Sequence, residues 1–342
     1  MWIVYLKRTV LSLFGIVVFL SIALVALWNH RSDIAEVGWA TPTEAVAESG
    51  DLVTVTWLGV STLLFDDGET QILIDGYFSR PTLSDMLLRR PVQSQAAQVN
   101  FVMNEYRMRR LAAIIPVHSH FDHVLDIGAI ALRSSASILG SVTTSNIARG
   151  AGVPEDQIAI IVDESPYQFG EFKVTLKPSR HAPIGWRGSV PMDGSIDEPL
   201  VEPQPVSAYR MGGAYSIIIE HPQGTVLIHG SAGFNKYDLR EVSADVVLLG
   251  VSQLDSLGKN YTNVYWQNVV TASGAHSVYP VHFDDFTQPW GVVKLPPKFI
   301  DDFVKTSKWI EEIRNRWDRD TSLFMPEFGK PVAIFAQPPV TS

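Results

Sequence analysis

A chain of 342 residues that is 46% hydrophobic can bury a large core, as one domain or two, and its lack of cysteine excludes disulfides and thiolate metal ligands. Charged residues are 18% of the chain, the formal net charge is −9, and the short Tyr106–Arg110 stretch is its densest basic cluster, which argues against nucleic acid as a partner.

The N-terminal segment is predicted to be a membrane anchor. Lys7 and Arg8 precede about twenty uncharged, mostly apolar residues, Thr9 to Trp28, and His30 and Arg31 close the run. As a helix that length spans a hydrocarbon layer of about 30 Å. It exceeds the ~7–15 residues usual for the core of a cleaved signal peptide. Leu24 and Ala26 fit a small-residue cleavage site poorly, and Trp28 suits an interfacial position. The reading is a single-pass anchor over 1–31, a linker over 32–50 and one domain over 51–342, the last periplasmic or extracytoplasmic because Lys7 and Arg8 favour a cytoplasmic N-terminus.

After the linker, β-branched residues place strands at Thr54–Thr56 and Ser61–Phe65, with Asp67-Gly68 as a hairpin turn before "TQILID". Residues 81–110 are partly helical. "LAAIIPV" from Leu111 reads as a buried strand, and "DIGAIALR" as a helix with Ile127 and Ile130 on one side. Further strands are expected near Ser137–Leu139, Ala159–Val162, Phe172–Leu176, Ala214–Glu220, Thr225–His229, Val246–Leu249 and from Ser277. His221 follows in a hairpin turn and is expected to be exposed. Gly185–Met211, rich in Pro and Gly, reads as a long surface loop, and Lys298–Trp317 as a closing helix carrying Phe299, Phe303, Ile310 and Ile313 before a last strand, "KPVAIFA". Many short strands separated by helices predict an α/β sandwich rather than a β-barrel.

Three of the nine histidines fall between His118 and His123. In an extended segment His118 and His120 share a face, because side chains alternate with period two. Asp122 and His123 would begin the next helix, whose N-terminus favours an anionic side chain. One histidine there would cap the helix or bond within the loop. Four ligand-type residues at this spacing favour a divalent ion such as zinc.

On this H-x-H-x-D-H pattern, together with the opening "VTWLGVSTLLFDDGETQILIDGYF", the chain resembles the metallo-β-lactamase superfamily over roughly Leu52–Ala336. It is most similar to the branch that holds sugar-lactone hydrolases and N-acyl-phosphatidylethanolamine phospholipase D enzymes. The resemblance implies an αββα sandwich with one or two divalent metals, most commonly zinc, at the sheet edge. It implies His118, His120 and His181 around the first metal, and Asp122, His123 and His282 around the second. Asp75 ends the family-like opening and is a candidate to orient a ligand; Asp284 and Asp285 are candidates either for that role or to cap a helix. The family's strand–Gly–Asp–Thr/Ser–Gly–Phe segment is "VLIHGSAGF" here, so Ser231 stands where the bridging aspartate is expected. A hydroxyl is a weak replacement for a bridging carboxylate, which leaves a weakened second site or a nitrogen from His229 as alternatives.

The implied activity is metal-assisted hydrolysis of a small molecule, an ester, lactone, amide or phosphodiester, with a lipid-like substrate among the candidates. Asp122 would orient water or accept its proton, or serve mainly as a ligand if both metals are present. The loop after His181 is the expected specificity element, with Trp186 and Arg187 as candidate substrate contacts. The alternative is a catalytically degenerate envelope module that binds a ligand or protein. No Walker or dinucleotide fingerprint is present, and "GVSTLLF" lacks the G-x-S-x-G spacing of a serine hydrolase.

Overall fold

The computed structural model describes residues 2–44 and 52–337. Two seven-stranded sheets form its centre. In the N-terminal sheet the spatial order is Pro331–Ala333, Thr54–Trp57, Leu63–Asp66, Gln71–Ile74, Leu111–Ile115, Ser137–Gly140 and Ile158–Ile160. Its first three pairings are antiparallel and its last three parallel. The C-terminal sheet runs Ser322–Leu323, Ser277–Val281, Val246–Gly250, Gly224–His229, Ala214–His221, Phe172–Ser179 and Pro166–Phe169. Here the first three pairings are parallel and the last three antiparallel.

Alternation along each strand decides which side meets which layer. Leu63, Phe65, Ile72, Ile74 and Ile115 join Ile217, Ile228 and Leu248 in the core between the sheets. Leu64, Leu73 and Ile114 turn the other way and pack with Val99, Val102, Ile127 and Ile130 of the helices Ala96–Glu105 and Ile127–Ser134. The C-terminal sheet joins Tyr265, Trp266, Ile310 and Ile313 of the helices Lys259–Trp266 and Phe303–Trp317 in the same large core. The result is the expected αββα sandwich, and both sheets are apolar on two faces because each is covered on both.

The strands Gln71–Ile74, Leu111–Ile115, Phe172–Ser179, Gly224–His229 and Ser277–Val281 lead at their carboxyl ends into Asp75, His118, His181, Ser231 and His282. Crevices at carboxyl strand ends are where open α/β sheets place ligands.

The closing helix begins at Phe303, later than the spacing predicts, because Asp302 accepts the Lys305 N–H and caps it. Phe299 therefore lies outside the helix, 52% exposed, with its ring edge-on to Trp28 at 6.1 Å.

The helix Trp2–Asn29 includes a 25-residue stretch, Tyr5–Asn29, that is long and apolar enough to cross a membrane, a length and composition that a signal sequence shares. Beyond it the chain folds back onto the sandwich. Arg31 Nη1 donates to Asp285 Oδ2 at 2.7 Å and to the Leu295 carbonyl at 2.6 Å. The His30 carbonyl accepts the Lys298 N–H at 2.9 Å. Asp33 caps a turn at Ile34–Val37, Val37 is buried in the main core, and Trp39 Nε1 donates to Glu311 at 2.8 Å. The stretch that reads as a linker, 32–50, is thus docked through residue 44, while 45–50 lie outside the described residues.

Replacing Arg31 with Ala should destabilise the full chain by about 1–3 kcal/mol, the cost of leaving a buried acceptor short of a charged partner. Asp285 keeps Thr287 and Gln288 as donors, which limits the loss. A lower melting temperature for Arg31→Ala checks this; an unchanged one would show that the pair contributes nothing.

Candidate metal centre

One buried carboxylate organises the site. Asp75 Oδ1 accepts the Val117 N–H at 2.9 Å, and Oδ2 accepts from Ser61 Oγ at 2.6 Å and His123 Nδ1 at 2.7 Å. His123 Nδ1 therefore carries the proton, and Nε2 keeps a lone pair with no hydrogen-bond partner. Three non-glycine residues here have left-handed backbones: Val60 at φ +52°, Asp75 at +57° and His282 at +60°. Such conformations cost on the order of 1–3 kcal/mol each and persist only when surrounding bonds enforce them. The Val60 N–H is held by Asp284 Oδ1 at 2.8 Å, and its carbonyl accepts from the His282 N–H at 2.7 Å and Trp57 Nε1 at 2.9 Å.

Two groups of ligand-type side chains result, His118, His120 and His181, and Asp122, His123 and His282, with ligand atoms in each group within 4.8 Å of one another. His120 is the N-cap of the one-turn helix Phe121–Val124, which carries Asp122 and His123. Nε2 of His118 and Nδ1 of His120 are 3.0 Å apart. That is close to the ~3.3 Å between two nitrogens on a tetrahedral ion with bonds of about 2.0–2.1 Å. His181 donates Nδ1–H to the Ala182 carbonyl at 2.9 Å, which leaves Nε2 as its free lone pair. Asp122 Oδ2 lies 3.3 Å from His282 Nε2 and 3.7 Å from His123 Nε2.

Electrostatics suit cation binding. Burial drives His118 well below the ordinary imidazole range, and the imidazoles of His123, His120, His181 and His282 add to the effect. Burial lowers His120 to about 4 against the pull of Asp122, and it lowers His181 as well. Burial opposes the charge on Asp122, yet His123, His282 and His120 together hold it well below the usual carboxylate range. Burial also opposes charge on His123, but Asp75 and Asp122 outweigh it and raise its pKa. The unpartnered His123 Nε2, the neutral first group and the anionic Asp122 fit a divalent cation, which deprotonated nitrogen and oxygen ligands require.

These side chains open on a cavity of about 210 Å³, with Phe121, Ile184, Met192 and Phe286 among its walls. Ser231 lines it beside His118, Asp122, His181 and His282, and its Oγ accepts the Ala182 N–H at 3.0 Å. His229 belongs to neither ligand group. Its Nε2 donates to the Gly233 carbonyl at 2.5 Å, its Nδ1 accepts from Ser216 Oγ at 2.8 Å, and burial lowers it to about 4. Asp284 and Asp285 hydrogen-bond to Val60 and Arg31 respectively, not to a ligand imidazole. Trp186 and Arg187 are exposed and stack on each other at 5.8 Å; Pro191 and Met192 of the same loop line the cavity. The His221 side chain, expected to be exposed, is only 4% so, because it packs on Phe172 with Glu171 Oε2 at 3.4 Å. Ser61, Ser252 and Gln253 escaped the sequence reading: polar residues in loops carry no periodic signal, and only the folded chain brings them to the site.

No protein-family model matches the chain. It is 26% identical over 139 residues to a UPF0173 metal-dependent hydrolase of Roseiflexus sp. (strain RS-1), a match that covers 40% of this chain and about half, 51%, of that relative. It is 22% identical over 236 residues to a UPF0173 metal-dependent hydrolase of Pyrobaculum islandicum, covering 68% of this chain and 84% of that one. Among solved structures, a mutant CmlA β-hydroxylase aligns with a TM-score of 0.50 at 12% identity, over 84% of this chain and 54% of its own; CmlA is a diiron enzyme of Streptomyces venezuelae. YhfI of Bacillus subtilis, described as a metallo-β-lactamase fold protein, gives 0.46 at 15% identity, over 82% of this chain and 98% of its own. The chain folds as an αββα sandwich, and its two ligand clusters support an enzyme.

The pKa shifts give a signed expectation. The unfolded chain protonates His120 near 6.5 and the folded one near 4, so folded metal-free protein should lose stability as pH falls across that window. Zinc affinity should fall over the same range, since protons compete for the ligands. Thermal unfolding with and without zinc from pH 7 to 4 checks both; a zinc-induced shift that stays constant down to pH 4 would exclude these imidazoles as ligands. Alanine at His118, His120 or His181 should remove bound metal by elemental analysis, and normal metal content in all three variants would refute the assignment.

Proposed function

We propose that this chain is a membrane-anchored, metal-dependent hydrolase that binds one or two divalent ions, most readily zinc, and cleaves an ester, lactone, amide or phosphodiester. The resemblance to lactone hydrolases and N-acyl-phosphatidylethanolamine phospholipase D enzymes belongs to this reading. The observation that carries it is the meeting of His118, His120 and His181 with Asp122, His123 and His282 on one cavity. Two relatives described as metal-dependent hydrolases agree with it. The length of the apolar run and the poor small-residue cleavage site at Leu24 and Ala26 favour retention of the helix as an anchor. The sandwich would then face the extracytoplasmic side.

When bound, a divalent ion supplies Lewis acidity and lowers the pKa of its water from about 15.7 toward about 7. His118, His120 and His181 would hold the first ion, and Asp122, His123 and His282 the second. Asp75 fixes the His123 tautomer by accepting a hydrogen bond from its Nδ1–H. Asp122 stays a carboxylate, so its oxygens accept a hydrogen bond from the attacking water and orient it toward the substrate. Its depressed pKa makes it a better orienting group than a proton store. Phe121 and Phe286 exclude bulk water from part of the cavity.

A second reading rests on Ser231, a neutral group where a bridging carboxylate is expected. On that reading the chain keeps a metal but binds a ligand without turning it over. The test is metal analysis of the detergent-solubilised full chain beside an assay panel of esters, lactones, amides and phosphodiesters. Metal-dependent turnover lost in His118→Ala supports the hydrolase, and bound metal without turnover of any class favours the binding module.

Ser231→Asp should raise the zinc stoichiometry, because it restores an anionic oxygen between the two ligand groups. Without a second ion the added carboxylate would be costly, so its melting temperature should respond more strongly to added zinc. Unchanged stoichiometry and an unchanged zinc response would show that Ser231 does not occupy a bridging position.

A further inference from the structure

Apart from its ligand residues, the cavity wall carries no charge. Among the described residues that line it, none is Lys or Arg. Its remaining polar side chains are Ser231, Ser252 and Gln253, set among apolar walls that include Ile184, Met192 and Phe286. Proteins hold an anionic phosphodiester with charge-assisted bonds, most often from Arg or Lys. A neutral carbonyl compound needs apolar walls and a few convergent polar groups. The cavity matches the second description.

Gln253 sits at the cavity wall as the N-cap of the short helix Leu254–Leu257, its carbonyl accepting the Ser256 and Leu257 N–H groups at 3.2 and 3.3 Å. It follows the strand Val246–Gly250 with a left-handed backbone at φ +58°, which favours glycine. Its N–H donates to Asp301 Oδ2 at 2.7 Å, and Asp301 is only 2% exposed. A buried carboxyl group thus holds one residue in an unfavourable conformation at the cavity wall. Neither the Gln253 amide nor the Ser252 hydroxyl has a hydrogen-bond partner among the described residues, whereas Ser231 already accepts from Ala182. A primary amide can both donate to a carbonyl oxygen and accept from a hydroxyl or amide N–H, and it repels neither.

We propose that Gln253, with Ser252 beside it, is the specificity-determining group for an uncharged ester, lactone or amide, and that Asp301 is its positioning residue. The proposal deepens the hydrolase reading and rests on it for the word substrate, but the recognition itself can be measured without turnover.

The test uses zinc-loaded full chain and two readouts. In the first, 4-nitrophenyl acetate, δ-valerolactone and bis(4-nitrophenyl) phosphate are compared. Turnover should favour the neutral compounds, and Gln253→Leu should raise their KM about tenfold, the loss of one hydrogen bond of roughly 1.4 kcal/mol, with kcat and zinc content nearly unchanged. Asp301→Ala should raise KM similarly, and Asp301→Asn, which keeps an acceptor for the Gln253 N–H, should restore most of it. In the second, calorimetry compares δ-valerolactam with dimethyl phosphate as slowly reacting analogues. The lactam should bind more tightly, and Gln253→Leu should weaken it about tenfold. Preference for the phosphodiester in both readouts, or indifference of KM and lactam binding to Gln253→Leu, overturns the proposal and leaves the hydrolase reading standing. No turnover of any compound, with lactam binding still dependent on Gln253, removes the hydrolase reading and upholds the recognition site.

Discussion

The site depends on the Asp75 carboxylate. It is fully buried, and its oxygens join three parts of the chain: Ser61 from the turn after the first strand, Val117 from the end of a parallel strand, and His123 from the turn that follows. A buried carboxylate is costly unless its lone pairs are satisfied, and here each donor that satisfies it also belongs to the frame of the metal centre. The same bonds decide which nitrogen of His123 carries its proton. Val60 extends the frame to the other sheet, because its N–H is held by Asp284 and its carbonyl receives the His282 N–H. His123, His181 and His282 are therefore positioned by hydrogen bonds made to the backbone or to Asp75, independently of any ion.

Charge at the centre is sparse. Of the six ligand-type residues only Asp122 is an acid, and burial lowers His118, His120 and His181 below the ordinary imidazole range. Ser231 adds an oxygen without a charge, and it already accepts a backbone N–H. A cation in the first group meets only neutral ligands, whereas one in the second meets Asp122. The absence of Lys and Arg from the cavity lining means that the ion and Asp122 dominate the field felt by a bound molecule.

The segment after the apolar helix shares the scaffold of the site. Asp285, which receives Arg31, lies three residues beyond His282 and one before Phe286 of the cavity wall. Residues 28–44 contact the loop 285–299, the closing helix and the strand-end residue Phe324, so helix and sandwich are joined by packed structure through residue 44. These contacts tie the end of the helix to the segment that carries His282 and Phe286.

Much of this was legible in the amino-acid order. β-Branched residues and short apolar runs marked most sheet strands, the long apolar run marked the first helix, and four ligand-type residues within His118–His123 marked the metal-binding segment, because each signal is local. The short strand Pro166–Phe169 and the helix Val142–Gly150 were not anticipated, as neither carries a strong apolar period. The roles of Asp284 and Asp285 were equally hidden, since a carboxylate's partner is set by what folds against it: Arg31 is 254 residues from Asp285 in the chain. The left-handed backbones of Val60 and Gln253 also have no local cause, because neither residue type favours that conformation. The sequence by itself determined the strands, the apolar helix and the kinds of atom available to a metal. Tertiary structure alone decided which atoms meet, because distant hydrogen bonds to Asp75, Asp284 and Asp301 hold the backbone where local preference would not.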